Sequence, residues 1–72
     1  MLNRPIDDLV LIAAVGGGFH IDDKRPIDDL VKIAAAASAK QARIIIHGAS
    51  KRPIDDLVRI AAAGRGAIVF AD

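Results

Sequence analysis

The stretch Arg25-Pro26-Ile27-Asp28-Asp29-Leu30-Val31-Lys32-Ile33-Ala34-Ala35 has two sister copies in this chain, one beginning at Arg4 and one at Arg52. The copies agree at ten of eleven positions and differ only at Leu11, Lys32 and Arg59. A repeat this strong decides the fold class, because each copy must form the same supersecondary unit and bury the same face.

Each copy reads as a helix start. Pro5, Pro26 and Pro53 fit the first turn, where a missing N–H costs nothing and φ is already helical. The paired acids that follow (Asp7 and Asp8, Asp28 and Asp29, Asp55 and Asp56) then complement the positive end of the helix dipole. Ile6, Leu9, Val10 and Ala13 recur at i, i+3, i+4 and i+7 and predict one apolar helix face. The same face is expected from Ile27, Leu30, Val31 and Ala34, and from Ile54, Leu57, Val58 and Ala61. The variable position falls on the outward side, which admits Lys32 and Arg59 and leaves Leu11 as an apolar exception. Gly16-Gly17-Gly18 and Gly64-Arg65-Gly66 read as the ends of the first and third helices. The second helix is expected to run through its alanines to about Lys40 or Gln41.

A short β-like run follows each helix: Phe19-His20-Ile21, then residues 42–47, then Ala67-Ile68-Val69-Phe70. Alternating helices and strands predict an α/β domain in which three tandem helix–strand repeats form a parallel three-stranded sheet with helices on one face. The units span about 4–24, 25–51 and 52–72 within a single domain, 1–72. A doubly wound three-stranded α/β arrangement, with one helix on the opposite face, is the alternative. Leucine-rich repeats share this general architecture, but the Leu-x-x-Leu-x-Leu-x-x-Asn pattern is absent and that family is not assigned.

Strand alternation divides the sheet residues. Phe19, Ile21, Ile44, Ile46, Ile68 and Phe70 fall on the face expected beneath the helices. Gly18, His20, Asp22, Arg43, Ile45, His47, Ala67, Val69 and Ala71 fall on the other. That second face is mixed and includes Ile45 and Val69 with no helix left to cover them. Parallel sheets seldom expose a face to water, and the edge strands carry little protection against pairing. Self-association therefore emerges as the expectation, with Leu11, Arg43, Ile45, His47 and Val69 as the interface residues.

Composition narrows the remaining classes. A 72-residue chain buries only about 60% of the surface it exposes when unfolded, so a small scaffold of this size ordinarily needs a staple. With no cysteine, disulfides and thiolate metal sites are excluded and a reducing, cytoplasmic setting is favoured. The net charge is +1, which gives no pull toward nucleic acid or membrane as a partner. No apolar run approaches the roughly 18 to 20 residues of a membrane span. All nine acids are Asp, and Glu, Trp and Tyr are absent; such economy, with near-identical repeats, points to recent duplication or to design.

Candidate chemistry is sparse. His20, His47 and Asp22 are expected near the C-terminal ends of neighbouring strands, where open α/β sheets bind ligands, and two imidazoles with a carboxylate suit a divalent metal. Lys24-Arg25 and Lys51-Arg52 precede helix N-termini, but the Asp pairs there repel an incoming phosphate. A ladder in which Arg of one repeat pairs with Asp of its neighbour is the expected arrangement. The glycines stand after helices rather than between strand and helix, so no dinucleotide or Walker loop is present. Ser38 and Ser50 have neither a glycine elbow nor an obvious base. The expectation is a non-enzymatic structural or interaction module that self-associates through its open sheet face or edges and needs no cofactor. A small metal- or ligand-binding protein using the strand-end histidines is the competing class. A module that binds a different protein through Arg43, Ile45 and His47 is the third.

Overall fold

The computed structural model describes residues 2–72. Helix α1 spans Ile6–Ala14, strand β1 Phe19–Asp22, α2 Ile27–Lys40, β2 Ile44–His47, α3 Ile54–Gly64 and β3 Ile68–Phe70, with a single 3-10 turn at Ala49–Lys51 before α3. The three strands are parallel and lie in sequential order, β1-β2-β3. Helix α2 packs between α1 and α3, so the helices form one layer on one face of the sheet. The doubly wound alternative is not adopted, because sequential parallel strands with neighbouring helices in contact place every crossover on the same side.

The three prolines stand one position earlier than the first turn. Pro5, Pro26 and Pro53 have ψ of 154°, 151° and 152°, so each is an N-cap with an extended exit. The Pro5 carbonyl accepts from the Asp8 and Leu9 N–H groups, and Pro26 and Pro53 repeat this in α2 and α3. No side chain caps any of the three starts, so the acidic pair and the proline together define the helix entry.

The helix ends depart further from a simple glycine rule. In α2 and α3 the left-handed C-cap is Gln41 (φ 54°) and Arg65 (φ 51°), not glycine. Gln41 compensates with its amide, which donates to the Ser38 and Arg65 carbonyls. Gly64 instead closes the helix itself, where an added Cβ would meet the Ile68 side chain at 2.4 Å. Its absence of a side chain lets α3 lie close to β3.

The core lies between the two layers and is apolar throughout. Leu9, Ile21, Leu30, Ile33, Ile44, Ile46 and Ile60 are its largest fully buried members, and among the described residues no polar or charged one is buried with them. Burial alternates along β1 and β2 as expected, with Phe19, Ile21, Ile44 and Ile46 inward. Ile68 and Phe70 are only half-buried at the β3 edge, and Ala67, assigned to the open face, is buried. The largest departure is α3, where Ile54, Val58 and Ala61 of the expected core face are exposed, while Ile60, like Ile33 in α2, is buried outside that face. No helix among the described residues is long and apolar enough to cross a membrane.

Gly18 sets the approach of the first loop to the sheet, since a Cβ there would lie 2.5 Å from the Arg43 carbonyl oxygen. Backbone cannot yield as a flexible side chain can. Gly18→Ala is expected to destabilise the protein by about 1–3 kcal/mol, the usual range for overpacking, measured by urea unfolding at matched protein concentration.

Candidate functional site

Four residues from three strands form the middle of the uncovered sheet face. The register pairs His20 with Ile45, Ile45 with Val69, and Asp22 with His47. Ile45, His47 and Val69 are half-buried, whereas His20 and Arg43 are exposed. The face is therefore a narrow apolar strip, Ile45 and Val69, with imidazole and guanidinium groups beside it.

The histidines meet, but not as direct cross-strand neighbours. His20 and His47 lie two residues apart in register and touch diagonally, with Nδ1 of His20 2.7 Å from Nε2 of His47. Their rings stack, with centroids 5.0 Å apart and planes inclined by 19°. A direct bond between two ring nitrogens needs one to donate and the other to accept, so at least one imidazole is neutral in this arrangement. The diagonal follows from the loop lengths. Phe19 stands seven residues before its proline and Ile44 nine before the next, and the turn at Ala49–Lys51 takes up the difference.

Asp22 is used otherwise. Its Oδ1 accepts from the backbone N–H of Lys24 at 3.0 Å, an Asx turn that shapes the entry to α2. Among the described residues, no group of three or more His, Asp or Glu side chains is arranged to hold a metal ion. Two imidazoles in mutual contact remain as a donor pair.

The arginine ladder exists with different partners from those expected. Arg4 and Arg52 each pair with the Asp four residues on, in the helix that follows them, Arg4 Nε to Asp8 and Arg52 Nη1 to Asp56, both at 3.1 Å. The contact between units runs to backbone: Arg25 donates to the Arg4 carbonyl, and Arg52 to the carbonyls of Arg25 and Asp23. The ion pair that does cross between helices uses the variable position, Arg59 to Asp28 at 3.8 Å. An i,i+4 carboxylate lies within easier reach of the motif arginine than the neighbouring helix, which frees the other end of the guanidinium fork for the adjacent loop.

The helix layer carries the residues that sequence reasoning missed. Besides Leu11, the exposed large apolar side chains are Val15, Ile54 and Val58. Val15 and Leu11 belong to α1 and its C-cap, and Ile54 and Val58 to α3, so all four lie on the terminal units of the stack. The readable signal was the repeat itself, since an end unit lacks the neighbour that buries its flank.

Comparison with protein-family models, curated proteins and solved structures finds no match to this chain.

The half-buried Arg52 serves two carbonyls and a carboxylate, while the exposed Arg4 serves one carboxylate. Arg52→Ala is expected to cost about 1–3 kcal/mol, as for unmade bonds to a charged group among half-buried partners. Arg4→Ala is expected to cost at most about 1 kcal/mol, as for an exposed ion pair. Chemical denaturation of the two variants side by side checks the ranking.

Proposed function

We propose that this protein is a non-enzymatic structural module of α/β repeats that associates with copies of itself. The observation that carries the reading is the uncovered sheet face: every helix lies on the other side, and Ile45 and Val69 remain partly open to water. A parallel sheet is normally covered on both faces, and a chain of this size gains stability most directly by self-association. The exposed apolar side chains at both ends of the helix layer, Leu11, Val15, Ile54 and Val58, support the same reading.

Light scattering behind a sizing column, across a hundredfold dilution from micromolar concentration, tests it. A mass above that of one 7.6 kDa chain, falling on dilution, is expected. A folded monomer throughout would refute self-association. If the sheet face contributes, Ile45→Thr with Val69→Thr shifts the dissociation midpoint to higher concentration, since both changes keep strand-compatible branching and remove apolar surface.

The His20–His47 contact favours a second reading, in which the paired imidazoles bind a divalent metal with water completing the shell. Heat on zinc titration that disappears in His20→Ala, His47→Ala protein would support it. The same double variant is expected to retain its oligomeric mass, because structural assembly does not depend on the imidazoles.

A further inference from the structure

Corresponding positions in the three helices have different environments, and the differences are systematic. Ile33 and Ile60 are fully buried, but Ile12 in the same place on α1 is only half-buried. Ala36 and Ala63 are half-buried, whereas their counterpart Val15 is 77% exposed. These positions lie on the flank that each helix turns toward the preceding unit, and among the described residues no unit stands before α1.

The opposite flank behaves in mirror fashion at the other end. Ile6 and Ile27 are half-buried and their counterpart Ile54 is 69% exposed; Val10 and Val31 are half-buried and Val58 is 58% exposed. Ala13 and Ala34 are fully buried, yet Ala61 is exposed. These positions face the following unit, and among the described residues no helix follows α3.

The arginine ladder stops in the same two places. The Arg4 carbonyl receives Arg25 and the Arg25 carbonyl receives Arg52. A further unit after α3 would bring another motif arginine to the Arg52 carbonyl. Arg4, exposed and bound among the described residues to Asp8, is the corresponding donor. Arg4, Asp8, Leu11 and Ile12 line a groove along the outer flank of α1. Its counterparts on α2, namely Arg25, Asp29, Lys32 and Ile33, belong to the flank turned toward α1.

We propose that copies of this chain join head to tail through the helix layer, with the α3 flank of one copy (Ile54 and Val58) seated in the α1 groove of the next, and Arg4 of that copy bonded to the Arg52 carbonyl. The inference rests on the self-association reading and specifies its geometry. The occupant is a second copy because the two free surfaces are the two sides of an interface that already occurs twice within each chain. The residues that differ from the repeat strengthen this. Leu11 and Val15 are more apolar or larger than Lys32, Arg59, Ala36 and Ala63, whereas an end unit that terminates an array carries a polar outer face. Such a contact is heterologous: it closes into a ring if the rotation per copy permits and otherwise extends into a filament.

The sheet adds one condition. Alternate residues of a parallel strand bond to opposite sides, and Phe19 N–H reaches the carbonyl of Arg43, just before β2, so the His20 carbonyl points to the free edge of β1. Leu2 N–H already occupies that carbonyl at 2.8 Å. Continuing the array at the same spacing places β3 of the preceding copy along this edge, so the Leu2 arm, held there by one backbone bond and by packing of its side chain on the core, gives way to a strand.

Complementation between two variants tests the proposal. Val15→Glu spoils the α1 end and Val58→Glu the α3 end, each on a side chain already exposed, with folding verified by circular dichroism. Leu11→Glu and Ile54→Glu form a second pair should either first variant fail to fold. Each variant alone is expected to fall to a monomer at concentrations where the parent protein is assembled. An equimolar mixture is expected to form a dimer and nothing larger, because one intact α3 end meets one intact α1 end and both outer ends are blocked. If the parent assembles and the variants keep its mass, or if the mixture stays monomeric, head-to-tail joining is wrong while self-association stands. A parent protein that is monomeric throughout overturns both.

Discussion

Ile33 and Ile60 occupy the same place in successive units, and both are buried completely. Neither could be buried by the sheet alone, because each sits on the side of its helix that turns toward the unit before. An α-helix in this fold has an apolar arc wider than the surface that three or four strand residues can cover. Part of that arc must therefore be closed by another helix. This requirement explains why α2 has the most buried residues of the three helices: it alone has a neighbour on both sides. It also explains why identical sequence produces unequal burial, as Val31 and Val58 illustrate. Burial here is a property of position in the stack as much as of residue type.

The polar contacts follow the same periodicity but act on different groups. Each proline N-cap leaves an extended backbone before its helix, and the motif arginine just ahead of it exposes a carbonyl to the adjacent loop. A guanidinium can fork, one arm to a carboxylate in its own helix and one to a neighbouring carbonyl. Arg52 uses both arms, which makes it a connector between units as well as a helix-entry residue. Salt bridges drawn between charged side chains alone would miss this, since the bond that crosses from unit to unit ends on backbone. The variable position then adds a smaller electrostatic contribution, with Arg59 reaching Asp28; that pair is exposed on both sides and of modest weight.

Much of the architecture was legible because the repeat states it three times. Helices, strands and their alternation followed from the placement of Pro, the Asp pair and the alternating Ile and Phe residues, whereas the order of the strands came from the structure. The inward assignment of Phe19, Ile21, Ile44 and Ile46 holds. What could not be read from the motif was how its copies would differ. Ile54, Leu57, Val58 and Ala61 repeat Ile6, Leu9, Val10 and Ala13 letter for letter, so periodicity assigned them the same core face. What separates them is that α1 packs against a following helix and α3, among the described residues, does not. The glycine signals were accurate to within a residue or two, but Gln41 and Arg65 take left-handed caps that a glycine rule does not anticipate. A local side-chain bond and a tight helix–strand approach outweighed intrinsic preference there.

The histidines mark the point where two kinds of regularity disagree. Counting back from the prolines places His20 and His47 in equivalent positions, and that count predicts direct cross-strand neighbours. The sheet follows a different rule, since Phe19, Ile44 and Ile68 must sit at one level for the core to close. Core packing is worth far more than the alignment of two surface imidazoles, so the two-residue excess after β2 is absorbed in the loop and His47 moves along the strand. The diagonal distance still lets the rings touch on the open face. Their contact is therefore a consequence of unequal loop lengths and not a site built by neighbouring polar groups, and Asp22 is turned into the backbone beside it. By contrast, the flanks of α1 and α3 are shaped by the rule that governs the core. For that reason the ends of the helix stack, more than the histidine pair, carry the logic of the fold to its surface.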